Sequence, residues 1–253
     1  MGEAKIIAVA GKGGVGKTSV SAMIVRILTR KYPDARILAI DADPAVGLAT
    51  ALGVTVERTM DDIRKAIVEN VQKGQKKEAV ECLGEARNLM FDALEEQEGF
   101  AFLAIGRPEA AGCYCAVNAY LKEVITTMAE QFDFVVIDGE AGIEQINRRV
   151  MERVTHLILI TDPSQKGLQV VKTIKKVADE LVMYEACGVL VNRLPDVKML
   201  KFLYLEEIPF LGAVGQDSSL TEFDLKGENI LNLPGSSLLA AGVKEALEKL
   251  HIV

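Results

Sequence analysis

Residues 5–19 read KIIAVAGKGGVGKTS. Lys5–Ala10 is a short apolar run, the pattern of a strand buried on both faces. Gly11-Lys12-Gly13-Gly14-Val15-Gly16-Lys17-Thr18 follows it and satisfies G-x-x-x-x-G-K-[ST]. From Gly16 to Lys31 apolar residues recur near the helical period, which predicts a helix. A strand, a glycine turn and a helix in that order form the setting in which this motif cradles phosphate. The glycines permit tight turns that aim successive N–H groups at one anion. The helix start adds its positive end. Gly11, Lys12, Gly13, Gly14, Val15, Gly16, Lys17, Thr18 and Ser19 are therefore candidate nucleotide contacts. Lys17 is placed on the β- and γ-phosphates and the Thr18 hydroxyl on Mg²⁺.

Outward from that stretch, short apolar runs alternate with helical ones. Strands are predicted at Arg36–Asp41, Phe100–Ile105, Phe134–Asp138, His156–Thr161, Gly188–Asn192 and Ile208–Ala213. Helices are predicted over Asp61–Leu94 with a break near Gly74, Ala116–Gln131, Lys166–Leu181, Val197–Tyr204 and Ser237–Leu250. Alternation of this kind implies right-handed βαβ units. The predicted fold is α/β and three-layered, a mostly parallel sheet with helices on both faces, as one domain over residues 1–253. Ligands then bind beyond the carboxyl ends of the strands.

Composition agrees. Of 253 residues, 49% are hydrophobic and 26% charged, which excludes a disordered chain. Aromatics are 5% and Trp is absent, so the core is aliphatic. Lys and Arg number 29 against 36 Asp and Glu, a net charge of −7 that argues against non-specific nucleic-acid binding. The N-terminal residues lack a signal-peptide pattern and no apolar run has spanning length, so no membrane partner and a cytoplasmic location are expected.

Three strand ends carry further chemistry. Asp41-Ala42-Asp43-Pro44 places two carboxylates on one side of a strand end. Phe134–Asp138 is a hydrophobic strand ending in an acid, the arrangement in which Asp138 holds a Mg²⁺-bound water. Base recognition is expected at Asn192-Arg193, after the fifth major strand. Pro195 stands where a guanine-specific N-K-x-D would need an acid, which favours ATP over GTP. Gly215-Gln216-Asp217 supplies the other base-side loop, so Gln216 and Asp217 join Asn192 and Arg193 as candidates.

Four cysteines are too few for a disulfide scaffold. Cys113-Tyr114-Cys115 is a C-x-C pair whose Cα atoms lie about 6–7 Å apart in extended backbone. Leaning side chains could bring the sulfurs to the roughly 3.7–3.8 Å that a tetrahedral metal needs. A two-thiolate chelate, a redox pair and incidental thiols all remain open on these residues alone. Cys82 and Cys187 read as ordinary buried or semi-buried cysteines, and His156 and His251 as poor ligands. Soft thiolates suit Zn²⁺ at least as well as Ni²⁺.

The K-G-G-x-G-K-T loop, with its second lysine at Lys12, resembles the deviant P-loop ATPases of the MinD, ParA and nitrogenase iron-protein group. That resemblance implies a homodimer sandwiching two nucleotides, with Lys12 reaching the partner's phosphates. It implies catalytic roles for Asp43, Lys12 and Lys17. Asp43 would orient and deprotonate the attacking water, and Asp41 would support Mg²⁺ through its water shell. Asp138-Gly139-Glu140-Ala141-Gly142-Ile143-Glu144 looks like the group's second switch. C-Y-C after G-R-P-E, together with A-G-I-E, resembles the CooC/AcsF type of nickel-maturation ATPase. It implies ATP, Mg²⁺ and Ni²⁺ (or Zn²⁺), a metal shared by Cys113 and Cys115 of two subunits, and carbon monoxide dehydrogenase or acetyl-CoA synthase as client. Two further readings follow from the wider group: an Fe–S reductase like the nitrogenase iron protein, and a positioning ATPase. For the latter, Leu238, Val243, Leu247 and Leu250 fit core packing better than a lipid surface.

Overall fold

The structure, a computed structural model, describes residues 3–72, 88–106, 115–139, 143, 146, 150–203, 205 and 208–253. Its strands are β1 (Lys5–Gly11), β2 (Ile37–Asp41), β3 (Glu95–Gln97), β4 (Phe100–Ala104), β5 (Phe134–Asp138), β6 (His156–Thr161), β7 (Ala186–Leu194) and β8 (Phe210–Gly215). They form one sheet in the order β3-β4-β2-β5-β1-β6-β7-β8. Every pairing is parallel except β3 with β4. The helices are α1 (Lys17–Lys31), α2 (Gly47–Leu52), α3 (Met60–Gln72), α4 (Cys115–Ala129), α5 (Gln165–Leu181), α6 (Ser218–Lys226) and α7 (Leu238–Lys249).

Side chains alternate faces along a strand, and here both faces are covered. Ile7, Val9, Val136 and Ile158 pack with α1, α2 and α7. Ala8, Ala10, Ile137 and Leu157 face the opposite core, shared with residues of α3, α4 and α5. The three-layer α/β expectation holds.

The differences have local causes. Glu and Gln are poor strand formers, and the sequence reading places no strand at Glu95–Gln97. That segment forms an antiparallel edge hairpin with β4, turned at Gly99 with φ 85. The last strand starts at Phe210 rather than Ile208, since Pro209 has no N–H to give the ladder. Val197–Phe202 is a 3₁₀ helix and not an α-helix; Val197, Met199 and Phe202 are exposed, so no apolar stripe anchors a longer one. The expected Asp61–Leu94 helix is α3 plus a helical turn at 88–91; residues between them lie outside the description. The short helices α2 and α6 went unanticipated. On α7, Val243 and Leu247 are buried and so is Leu250 beside them, whereas Leu238 is half exposed against the core role expected of it.

Candidate nucleotide site

The carboxyl ends of β2, β5, β1, β6 and β7 lie along one edge of the sheet, and the candidate residues collect there. Strand register fixes two of them. Asp41 ends β2 and pairs directly with Asp138, which ends β5. Val9 of β1 pairs with the same Asp138, two residues before Gly11 begins the loop.

The loop itself is built by close approach. Gly16 is the N-cap of α1, with φ 91 and no side-chain cap. A Cβ there would stand 2.5 Å from Asn192 Nδ2, so only glycine fits. No acidic residue lies in the first turn of α1, and its initial N–H groups face the cleft without a capping carboxylate. Gly13 and Gly14 are exposed at the loop tip, while Gly11 and Val15 are buried beneath it. Lys17 is 8% exposed and its Nζ donates to the Lys12 carbonyl at 3.3 Å, which folds the side chain back over the loop. Lys12 Nζ lies 3.6 Å from Asp162 Oδ2, just past β6. Thr18 and Ser19, both half buried, line a cleft of about 1130 Å³ with Gly47, Thr50, Asn192 and Arg193.

Two carboxylates lie buried at the adjoining strand ends. Asp41 is fully buried; its Oδ1 accepts the Asp43 N–H at 3.1 Å and its Oδ2 the Leu48 N–H at 2.8 Å. It thereby ties the D-A-D-P turn to α2. Burial, then the neighbouring Asp138 charge, pushes its carboxyl up to about 7. Asp138 is also fully buried, and Ser21 Oγ donates to its Oδ1 at 3.0 Å. Burial raises it to about 6, against the pull of the Thr18 and Ser21 hydroxyls and the Lys17 charge. Its Oδ2 accepts no hydrogen bond of normal geometry. A buried carboxylate oxygen without a donor, beside a hydroxyl and a second carboxylate, is a hard all-oxygen donor set that fits Mg²⁺. Thr18, Asp41 and Asp138 are the residues that would hold it or its waters. Asp43 is half buried at the mouth, and its Oδ1 accepts the Ala45 N–H at 2.9 Å.

The base end differs in detail from the sequence reading. Asn192 is 4% exposed; its Nδ2 donates to the Val15 carbonyl at 2.8 Å and its Oδ1 accepts the Arg193 N–H. The amide braces the phosphate loop, and one N–H and one lone pair remain for a base. Arg193 is exposed with φ 58. Gln216 is exposed on the cleft wall. Asp217 also lines the cleft, but its carboxylate is committed to the protein. Oδ1 accepts Ser219 and Leu220 N–H, and Oδ2 accepts the Ser237 hydroxyl and Leu239 N–H. Burial would raise its carboxyl, but these donors outweigh burial and hold it below the usual range.

Cys113 lies outside the described residues, as do Glu140, Ala141, Gly142 and Glu144 of the second switch and the Cys115 side chain. Cys187 is half buried beside Tyr184, and burial pushes its thiol up to about 12, the behaviour of an inert cysteine. The sequence reading missed Ser21 and Asp162. Each had a signal: Ser21 stands one turn after Lys17 on the same face of α1, and Asp162-Pro163 repeats the strand-end acid of Asp43-Pro44.

The family profile AAA_31, an AAA domain, matches residues 4–184. The chain is a P-loop ATPase of the MinD/ParA family. This ATPase is 39% identical over 249 residues to an uncharacterized ATP-binding protein of Methanocaldococcus jannaschii, covering 97% of this chain and 98% of that one. It is 30% identical over 239 residues to the carbon monoxide dehydrogenase accessory protein CooC of Rhodospirillum rubrum, covering 90% and 89%. Its fold matches the septum site-determining protein MinD of Pyrococcus horikoshii, solved with Mg-ADP, at a TM-score of 0.69 and 22% identity over 98% and 96% of the two chains. ATP and Mg²⁺ are the ligands expected of a P-loop ATPase of this family.

Proposed function

We propose that this ATPase works as a homodimer that inserts nickel into carbon monoxide dehydrogenase or acetyl-CoA synthase. Nickel is the cargo, held between the Cys113-Tyr114-Cys115 pairs of two subunits. The observation that carries this reading is a C-x-C pair in a MinD/ParA-type ATPase that is 30% identical to CooC along most of its length. Thiolates alone would suit Zn²⁺ equally, so the choice of nickel rests on that relative.

The chain's residues then divide the work. Gly11–Ser19 and the start of α1 bind the phosphates, with Lys17 on the β- and γ-phosphates. Asn192, Arg193 and Gln216 frame the base. Asp217 serves the base end from the cleft wall, its carboxylate holding two helices in place. Mg²⁺, held through Thr18, Asp41 and Asp138, would offset phosphate charge. Asp43 accepts a proton from the attacking water. Lys12 leaves Asp162 for the partner's phosphates when two chains close. Closure joins the two cysteine pairs, so nucleotide and metal favour the same dimer.

Against a lipid-bound positioning role stands α7, whose Val243, Ala246 and Leu247 are buried in the core. Among the described residues no helix is long and apolar enough to cross a membrane.

Nickel-free carbon monoxide dehydrogenase mixed with Ni²⁺, ATP and this protein tests the reading. Activation should require ATP and fall at least about 100-fold with Asp43→Ala, the low end for losing a general base. Activation independent of ATP, or unchanged in Asp43→Ala, would overturn it. A broad visible absorption near ~400 nm with a reducible EPR signal in anaerobically purified protein would instead indicate a thiolate-held Fe–S cluster.

A further inference from the structure

The oxygen of Asp138 that is held and the oxygen that is free are different atoms. Oδ1 accepts the Ser21 hydroxyl at 3.0 Å, whereas Oδ2 accepts no hydrogen bond of normal geometry, although both residues are completely buried. Ser21 stands on α1 three residues after Thr18 and four after Lys17, so all three share one helix face, on which the Ser21 hydroxyl meets Asp138. A buried hydroxyl that donates to one carboxylate oxygen stops the group rotating about its terminal torsion, which is otherwise broad.

We propose that Ser21 is a positioning residue for Mg²⁺. It pins Oδ1 of Asp138 so that Oδ2 stays turned toward the metal's water shell. The proposal rests on the reading of Asp138 as a holder of that shell. Outer partners that orient metal-site carboxylates are worth about 10–100-fold in metal affinity.

The test compares the affinity of a fluorescent ATP analogue with and without Mg²⁺ for the full chain and three variants. In the native protein Mg²⁺ tightens binding, and Asp138→Asn loses that enhancement. Ser21→Ala should lose about 10-fold of the Mg²⁺ enhancement, with Mg²⁺-free affinity unchanged. Ser21→Cys fills the same space with a weak donor and should lose most of the same amount; it serves where the alanine variant does not fold. A structural role alone would weaken binding equally with and without Mg²⁺, and that pattern would overturn the proposal. So would serine variants that keep the full enhancement while Asp138→Asn loses it. An Asp138→Asn protein that keeps it would overturn the reading of Asp138 itself, and Ser21's role with it.

Discussion

Lys17, Asp41 and Asp138 show what a single side chain reveals before and after folding. Their identities and strand-end positions are plain in G-K-T, D-A-D and F-V-V-I-D. Their proximity is not. It follows from register, which seats Asp41 opposite Asp138 and Val9 beside it. Asn192 and Asp217 were harder to read, because an amide or a carboxylate near a cleft serves the chain as readily as a ligand. Only distances show that Asn192 braces the Val15 carbonyl and that Asp217 is committed to four donors. At this scale, Lys17→Ala removes the cation folded over the loop. Calorimetric titration should then show no measurable ATP binding; wild-type affinity would refute the loop's role.

Elements were legible where one residue type repeats. The central strands are runs of Ile, Val, Leu and Ala buried on both faces, and α5 carries a Ser164 cap. Elements held by a few local contacts were not: α2 is six residues long, and α6 buries no residue completely. Asp217 is what holds α6 and α7 together at their starts. Asp217→Ala removes the N-cap of α6 and the acceptor of the Ser237 hydroxyl and Leu239 N–H at the start of α7, and should cost about 2 kcal/mol of stability at neutral pH. The folded carboxyl sits below its ordinary value, so its contribution is full above about pH 4. It is lost as pH falls through the lower folded value. Thermal unfolding should therefore separate wild type from Asp217→Ala at pH 7 and bring the two together in strong acid. A gap that persists or widens on acidification would contradict this account of the cap.

The architecture of the whole molecule followed from alternation of short apolar runs and longer helices, because parallel strands must be joined by crossovers that cover both faces. A sequence does not state what a second copy adds. Lys12 rests on Asp162 within one chain, and the proposed metal needs two C-x-C pairs. The claim that joins these features is that a pair of subunits shares one metal through Cys113 and Cys115. Elemental analysis of the dimer peak after nickel loading, for wild type and Cys113→Ala, tests it most directly. The account predicts one nickel per two chains in the wild type and none in Cys113→Ala, with ATP affinity nearly intact in both. Equal nickel in the two proteins would contradict it.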